Sequence, residues 1–417
     1  MFFTLYANQR GEVLDYPAYR ALGRSGMSWV EPEAEEMIPL PQGSSLVSIP
    51  GFYAVGLDRQ ECPQLLSRHP LQPEEPAYAV AALLPQGFTR TLLPACVSPQ
   101  KNSMPLLGYT AVALKGEQIY AAAVQTDEHR KWHPAYYHTE GLPDRINRML
   151  KRYPDNRILR QLAQCSLAYG CFTAQNLFYE RWEAGIPSYN ACNAHCIGCI
   201  SEQHMDIDAP QNRIDFLPSS QEIAELGIHH LERAREGIIS FGQGCEGEPS
   251  LNDRRLAPAV QKIRQATGRG TININTNAGY TKGIQNICRA GLDTMRVTLF
   301  SADKEAYRYY HQPRNYNLQD VCSSIRYAKD CGVRVSLNLL VYPGFTDTEA
   351  QLEALVNFVN QQQIDMIQMR NLNMDPDRLF QGLQPQEAGI GIASMLALLE
   401  DLLPDVEIAS YSRALGE

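Results

Sequence analysis

The sequence has no apolar run of the roughly 18 residues that a membrane-spanning helix needs. Its opening, MFFTLYANQR, holds too short an apolar stretch for a secretory leader. A cytoplasmic chain without a membrane segment is therefore expected. Positive charge is in deficit, with 37 Lys and Arg against 46 Asp and Glu and a formal net charge of −9. A surface of that sign repels a phosphate backbone, which disfavours nucleic acid as a general partner while leaving room for a local basic groove. Gly 29 and Pro 26 show no collagen-like or disordered excess, and no internal repeat or low-complexity tract is present. The cysteine count, 11, is odd in a chain expected to stay inside the cell, so a disulfide framework is not expected. What remains is an ordinary globular composition, 44% hydrophobic and 20% charged, on 417 residues, enough for two domains.

The first part, residues 1–184, reads as short β-strands and turns followed by helix. SLVSIPGFYAVGLD (45–58) and GYTAVALKGEQIYAAAVQTD (108–127) are apolar and β-rich, and KGEQ (115–118) has the look of a hairpin turn. From Pro143 to Glu183 apolar residues recur every three to four positions, as in Ile146, Met149, Leu150, Leu159 and Leu162. In the second part, residues 185–417, strands alternate with helices. The strands are one leading into a cysteine-rich loop near 184–190, then 237–241, 271–276, 294–300, 333–341 and 364–372. Ser219 with Glu222 and Thr346 with Glu349 supply capping boxes for two of the helices. The pattern is α/β. Six βαβ-type strands predict a partial (β/α)6 barrel, open on one side, behind a mixed β-then-α N-terminal domain, with active groups on the loops after the strands.

Three cysteines crowd into the loop after the first of these strands, in SYNACNAHCIGCIS. Cys192, Cys196 and Cys199 have the spacing C-x3-C-x2-C. Thiolates are the soft ligands that hold iron–sulfur clusters, and a [4Fe–4S] cube takes four, so three on one loop leave one iron open for chemistry. By spacing alone, a structural zinc site completed by His195 or a distant cysteine is an equal alternative.

C-x3-C-x2-C after the first barrel strand resembles the radical S-adenosylmethionine (radical SAM) superfamily, over residues 185–375. The resemblance implies a [4Fe–4S] cluster on the three cysteines and SAM chelated to the open iron. Reductive cleavage of SAM would then give a 5′-deoxyadenosyl radical that takes hydrogen from a substrate. Further motifs follow in the order the resemblance implies. Gly247-Glu248-Pro249 is similar to the GGEP motif that recognises the SAM amino group, Glu246 standing for its first glycine. Thr276-Asn277-Ala278-Gly279 resembles the TNG turn. Ser301, Asn338 and, on the sixth strand, Ile367 and Met369 match positions that contact SAM. The aromatic residue that family members carry before the third cysteine is replaced by Gly198, which leaves Ile197 to cover the adenine.

Substrate chemistry is assigned on weaker signals. Cys245, two residues before Gly247, and Arg370, beside Asn371 and Asn373, are the expected catalytic groups. HRKWHPAYYH (129–138) mixes His129, His133 and His138 with aromatics and is expected to be a packed loop. No cysteine follows Cys331, so the paired auxiliary-cluster cysteines of peptide-modifying relatives are missing, and so is a D-x-H-x-x-G corrinoid signature. The resemblance implies a reductant such as ferredoxin or flavodoxin and an anaerobic or low-oxygen setting. The expected substrate is a peptide, protein or small metabolite ahead of tRNA or a nucleotide. An iron–sulfur electron-transfer or scaffold protein without SAM cleavage is the alternative.

Overall fold

The computed structural model describes residues 1–100, 102–127, 130–202, 209–383 and 387–415. They form two compact units, one comprising Met1–Glu128, Leu340–Val356 and Met369–Pro404, the other His129–Leu339, Asn357–Gln368 and Asp405–Glu417.

The first unit is built on an eleven-stranded sheet whose core pairings are antiparallel. The KGEQ hairpin is present: Lys115 pairs with Gln118, and Gly116 supplies the turn with φ 63°. The sheet faces bury many alanines, among them Ala79, Ala81, Ala113, Ala121 and Ala122, whose small side chains let large neighbours such as Ile49 and Phe52 fill the core.

The second unit carries helices α1 (Leu142–Arg152), α2 (Arg157–Ala168) and α3 (Phe172–Tyr179), and the parallel strands that follow them. These strands are β1 (Arg181–Gly185), β2 (Arg235–Phe241), β3 (Thr271–Thr276), β4 (Thr294–Leu299), β5 (Arg334–Val341), β6 (Met366–Asn371) and β7 (Glu407–Ala409). They lie in sequence order in a single sheet that curves into a half-barrel. The partial α/β barrel read from the sequence is therefore the fold, with a short seventh strand added. Between strands run α4 (Ser220–Arg233), α5 (Asp253–Ala266), α6 (Thr281–Gly291), α7 (Lys304–His311) and α8 (Leu318–Asp330). The Ser219–Glu222 capping box starts α4 as expected.

Register explains the two faces. Ile239 pairs with Ile272, and Ile239 meets the α4 and α5 side chains around Gly227, so that row looks outward to the helices. The alternate rows are polar: Ser240 with Asn273 and Thr294, Asn275 with Arg296 and Ser336, and Thr298 with Asn338. Parallel strands covered by helices are usually apolar on both faces. The inner row is instead polar and bonded within itself, Asn273 donating to Ser240 (3.0 Å) and Asn275 (3.1 Å) and accepting from Thr294 (2.9 Å). Among the described residues no helix is long and apolar enough to cross a membrane.

The 129–138 segment is an aromatic cluster in which Trp132 and Tyr137 are buried with Tyr411 against Phe172, Tyr179 and Trp182. His133 caps a short 3-10 turn through Nδ1, and His138 hydrogen-bonds Gln175. His129 lies outside the described residues.

Candidate active site

The loop after β1 is fastened on two sides. On one, the Gly247 N–H donates to the Tyr189 carbonyl (2.8 Å) and the Glu248 N–H to that of Ala191 (2.8 Å). On the other, Ile197 N–H reaches the Tyr310 carbonyl (3.0 Å), Arg314 N–H reaches Asn193 (2.7 Å), and Ala194 makes a β-bridge with Pro313. Cys192, Cys196 and Cys199 are thus presented between the loop after β2 and the segment after α7.

Each thiol has a polar neighbour. Ala194 N–H points at Cys192 Sγ (3.4 Å), and Arg213 Nη2 at Cys199 Sγ (3.7 Å) while the same guanidinium holds Glu202 (2.8 Å). His311 is fully buried. Its Nε2 accepts from Phe300 N–H (3.2 Å), so Nδ1 carries the proton and donates to Cys196 Sγ (3.4 Å). Burial holds this imidazole neutral, with its pKa lowered to about 3. Burial also pushes the Cys192 thiol up to about 11 and Cys196 well above its ordinary value, with the other thiolates adding to the rise. Cys192 and Cys196, thiols that resist ionising alone, suit a metal cluster, whose positive charge reverses that cost. The donor set therefore fits an iron–sulfur cluster. Among the described residues no group of three or more His, Cys, Asp or Glu stands at metal-ligating distances. His195 faces Glu202 instead (3.7 Å).

The loop after β2 is organised by two buried carboxylates. Glu246 accepts from the Ser188 N–H (2.7 Å) and hydroxyl (2.8 Å), from Tyr189 N–H (3.3 Å), from Gln243 N–H (3.0 Å) and from Gly242 N–H. Burial pushes its pKa up to about 7 against the lowering by those donors. The residue in place of the motif's first glycine is therefore a clasp between the first two strand-end loops. Glu248 accepts from Ser250 N–H (3.0 Å), Thr276 Oγ1 (2.6 Å) and Asn277 N–H (2.8 Å), which joins the loops after β2 and β3. Asn277 extends Nδ2 to Asn193 Oδ1 (2.7 Å) beside Cys192. Ala278 takes a left-handed φ of 55° in this turn, where glycine is the easier residue.

Gly247 is required by space. A Cβ there would meet the Ala191 carbonyl oxygen at 2.0 Å. Gly247→Ala is accordingly expected to push the cysteine loop away and cut iron and sulfide content per chain several-fold, while far-UV circular dichroism stays unchanged. Full loading of the variant would remove the clamp from the account.

The remaining sequence-derived residues are placed as follows. Ser301 is buried and accepts from Asp303 N–H (2.9 Å) at the start of α7. Asn338 and Thr298 are paired on the inner face (3.5 Å). Met369 is buried in β6, and Arg370 follows it, half-buried. Asn371 is committed to backbone, donating to the Phe88 carbonyl (3.1 Å) and accepting from Arg90 N–H (3.0 Å). Ile197 is buried. The Cys245 thiol is buried, and the neighbouring Cys165 together with burial raises its pKa well above the ordinary thiol value.

Residues 186–359 match the sequence model of the radical SAM superfamily. That stretch of the chain is a radical SAM domain. The domain supports an enzyme, and its superfamily implies SAM, an iron–sulfur cluster, a reductant and a substrate. No curated protein sequence matches the chain. Solved structures similar to this chain include methylornithine synthase, with a TM-score of 0.40 at 15% identity over 63% of this chain and 78% of that one. Another is SuiB of Streptococcus suis bound to its precursor peptide SuiA, with a TM-score of 0.39 at 13% identity over 69% of this chain and 63% of that one. A radical SAM methyltransferase from Sphaerobacter thermophilus has a TM-score of 0.41 at 17% identity over 56% and 66%.

Arg213, His311 and the clasp role of Glu246 were not found by sequence reasoning. Only Glu246 left a signal, as a carboxylate where a motif asks for glycine.

Proposed function

We propose that this radical SAM enzyme holds a [4Fe–4S] cluster on Cys192, Cys196 and Cys199 and binds SAM with Gly247, Glu248, Asn277, Ser301, Asn338 and Met369. The observation that carries the reading is the thiol-bearing loop at the end of β1, hydrogen-bonded to the Gly247–Glu248 loop and to Asn277. When bound, the cluster and SAM supply the deoxyadenosyl radical that takes a hydrogen atom from substrate. The chain's own residues position and screen. Glu246 and Glu248 fix the three loops relative to one another, and His311 and Arg213 direct donors at two of the sulfurs. The polar inner rows give a substrate hydrogen-bond partners. Cys245 and Arg370 are the proposed groups for substrate chemistry. The substrate in this reading is a peptide, a protein side chain or a small metabolite, and the reductant is a ferredoxin or flavodoxin of a low-oxygen cytoplasm.

The test is anaerobic. The full chain is reconstituted with iron and sulfide, then given dithionite and SAM, and 5′-deoxyadenosine is measured beside Cys192→Ala. Deoxyadenosine from the unaltered chain alone is the expected result. A cluster that forms, leaves SAM uncleaved and shows no spectral response to it would replace this reading with an electron-transfer or scaffold role.

A further inference from the structure

His311, fully buried, is the last residue of α7 and sits where that helix hands over to the segment fastening the cysteine loop. Gln312 turns left-handed after it (φ 42°), and His195 N–H donates to the carbonyls of His311 (3.1 Å) and Gln312 (3.3 Å). The rings of Tyr307, 4.4 Å away, and Tyr310, 5.0 Å away and edge-on, fix the plane of the imidazole. Its tautomer follows from its two polar contacts. Phe300 N–H, just after β4, can only donate, and it donates to Nε2 (3.2 Å). A neutral ring carries one N–H, which is therefore on Nδ1 and aimed at the Cys196 sulfur (3.4 Å). An imidazolium would set one N–H against another at Phe300.

The other side-chain donors near the three sulfurs are committed elsewhere. Arg213 Nη2 lies 3.7 Å from Cys199 while holding Glu202 (2.8 Å), and Asn277 Nδ2 lies 3.9 Å from Cys192 while bonding Asn193 (2.7 Å). Reducing a thiolate-held iron–sulfur cluster adds one electron, and part of the new negative charge falls on the sulfurs. An N–H aimed at a sulfur stabilises that reduced state more than the oxidised one, so it raises the potential. Away from water the difference is not screened.

We propose that His311 is a positioning residue for electron entry, whose Nδ1–H on Cys196 makes the cluster easier to reduce. The inference rests on the cluster assignment of the proposed function. The one electron comes from the reductant of that function, and no proton moves, because Nδ1 keeps its hydrogen in both states. Phe300 N–H has a separate part: by occupying Nε2 it leaves Nδ1 as the nitrogen that can donate.

The experiment is an anaerobic redox titration of the full-length, cluster-loaded protein without SAM, read by electron paramagnetic resonance. An asparagine amide reaches the Nδ1 position and a glutamine amide the Nε2 position, so two variants separate the two contacts of the ring. At the wild-type midpoint, His311→Gln is expected to lower the ratio of reduced to oxidised cluster about tenfold, or about 59 mV for a one-electron couple. His311→Asn, which restores an N–H towards Cys196, is expected to stay near wild type. A ratio unchanged in His311→Gln, or the reverse order of the two variants, overturns the proposal and leaves His311 a packing partner of Phe300. Where the variants take up no iron, the wild type decides. With nitrogen-15 in its histidine rings, the reduced cluster is expected to show a weak nitrogen coupling that His195→Ala keeps, and absence of that coupling overturns the proposal. A wild-type chain that assembles no [4Fe–4S] signal instead overturns the cluster assignment itself, which tells the two failures apart.

Discussion

Replacing Glu246 by glutamine is expected to cost about 3 kcal/mol of stability near pH 6, and less as the pH rises. The carboxylate takes hydrogen bonds from five donors on Ser188, Tyr189, Gly242 and Gln243. A glutamine side chain keeps one acceptor and turns an NH2 towards the others, which leaves buried N–H groups facing a donor, at roughly 1–3 kcal/mol for each group stranded. The pH dependence follows from burial, which raises the folded pKa from the ordinary 4.5 to about 7. Between those values the folded chain holds a proton that the unfolded chain releases, so wild-type stability is greatest below about 4.5 and falls as the pH passes through 7. Glutamine has no such slope, and the difference between the two proteins therefore narrows with rising pH. Denaturant melts of both proteins at pH 6 and pH 8 give the measurement. A gap that stays the same from pH 6 to pH 8 would mean that the donors hold Glu246 charged throughout.

Much of the half-barrel was legible because parallel strands covered by helices leave a simple record, short β-branched runs between capped helices. TININT and VRVSLNLLV were bounded to within a residue. The first strand was read several residues late. RWEAG carries Arg181 and Glu183, and a charged residue argues against a buried strand until its partner is known. That partner is Arg296, 113 residues on. The same distance hides the surroundings of the thiols. Glu246 and Ser188 are 58 residues apart and His311 and Cys196 are 115 apart, with nothing local in the chain to announce either contact. The three cysteines themselves were readable because cluster ligation is a local pattern on one loop. Helix α7 was missed for a different reason: in KEAYRYYH the tyrosines lie among charged residues, which blurs the apolar stripe although Tyr307 and Tyr310 are both buried.

Glu183 and Arg296 set the electrostatics of the inner face, and removing either alone is expected to cost about 3–5 kcal/mol. Their side chains are 5% and 8% exposed and meet at 2.9 Å. Glu183 also accepts from Ser240 (2.6 Å) and Gln243 (3.2 Å), while Arg296 reaches Ser412 as well. Arg296 shares its inner row with Asn275 and Ser336, one step below Thr298 and Asn338. With Glu183 present, that row offers substrate hydrogen-bonding groups around a neutralised cation. Glu183→Leu strands a buried guanidinium, and Arg296→Met strands a carboxylate. The double variant strands neither, so most of the loss is expected to return, with a coupling of at least about 2 kcal/mol between the sites. Denaturation of the two single variants and the double gives that coupling. Additive losses would show that each residue acts through its other hydrogen bonds, with Ser240 and Gln243 on one side and Ser412 on the other. A single-variant cost below about 1 kcal/mol would mean that water reaches the pair and that the inner row is solvated at its base as well as at its mouth.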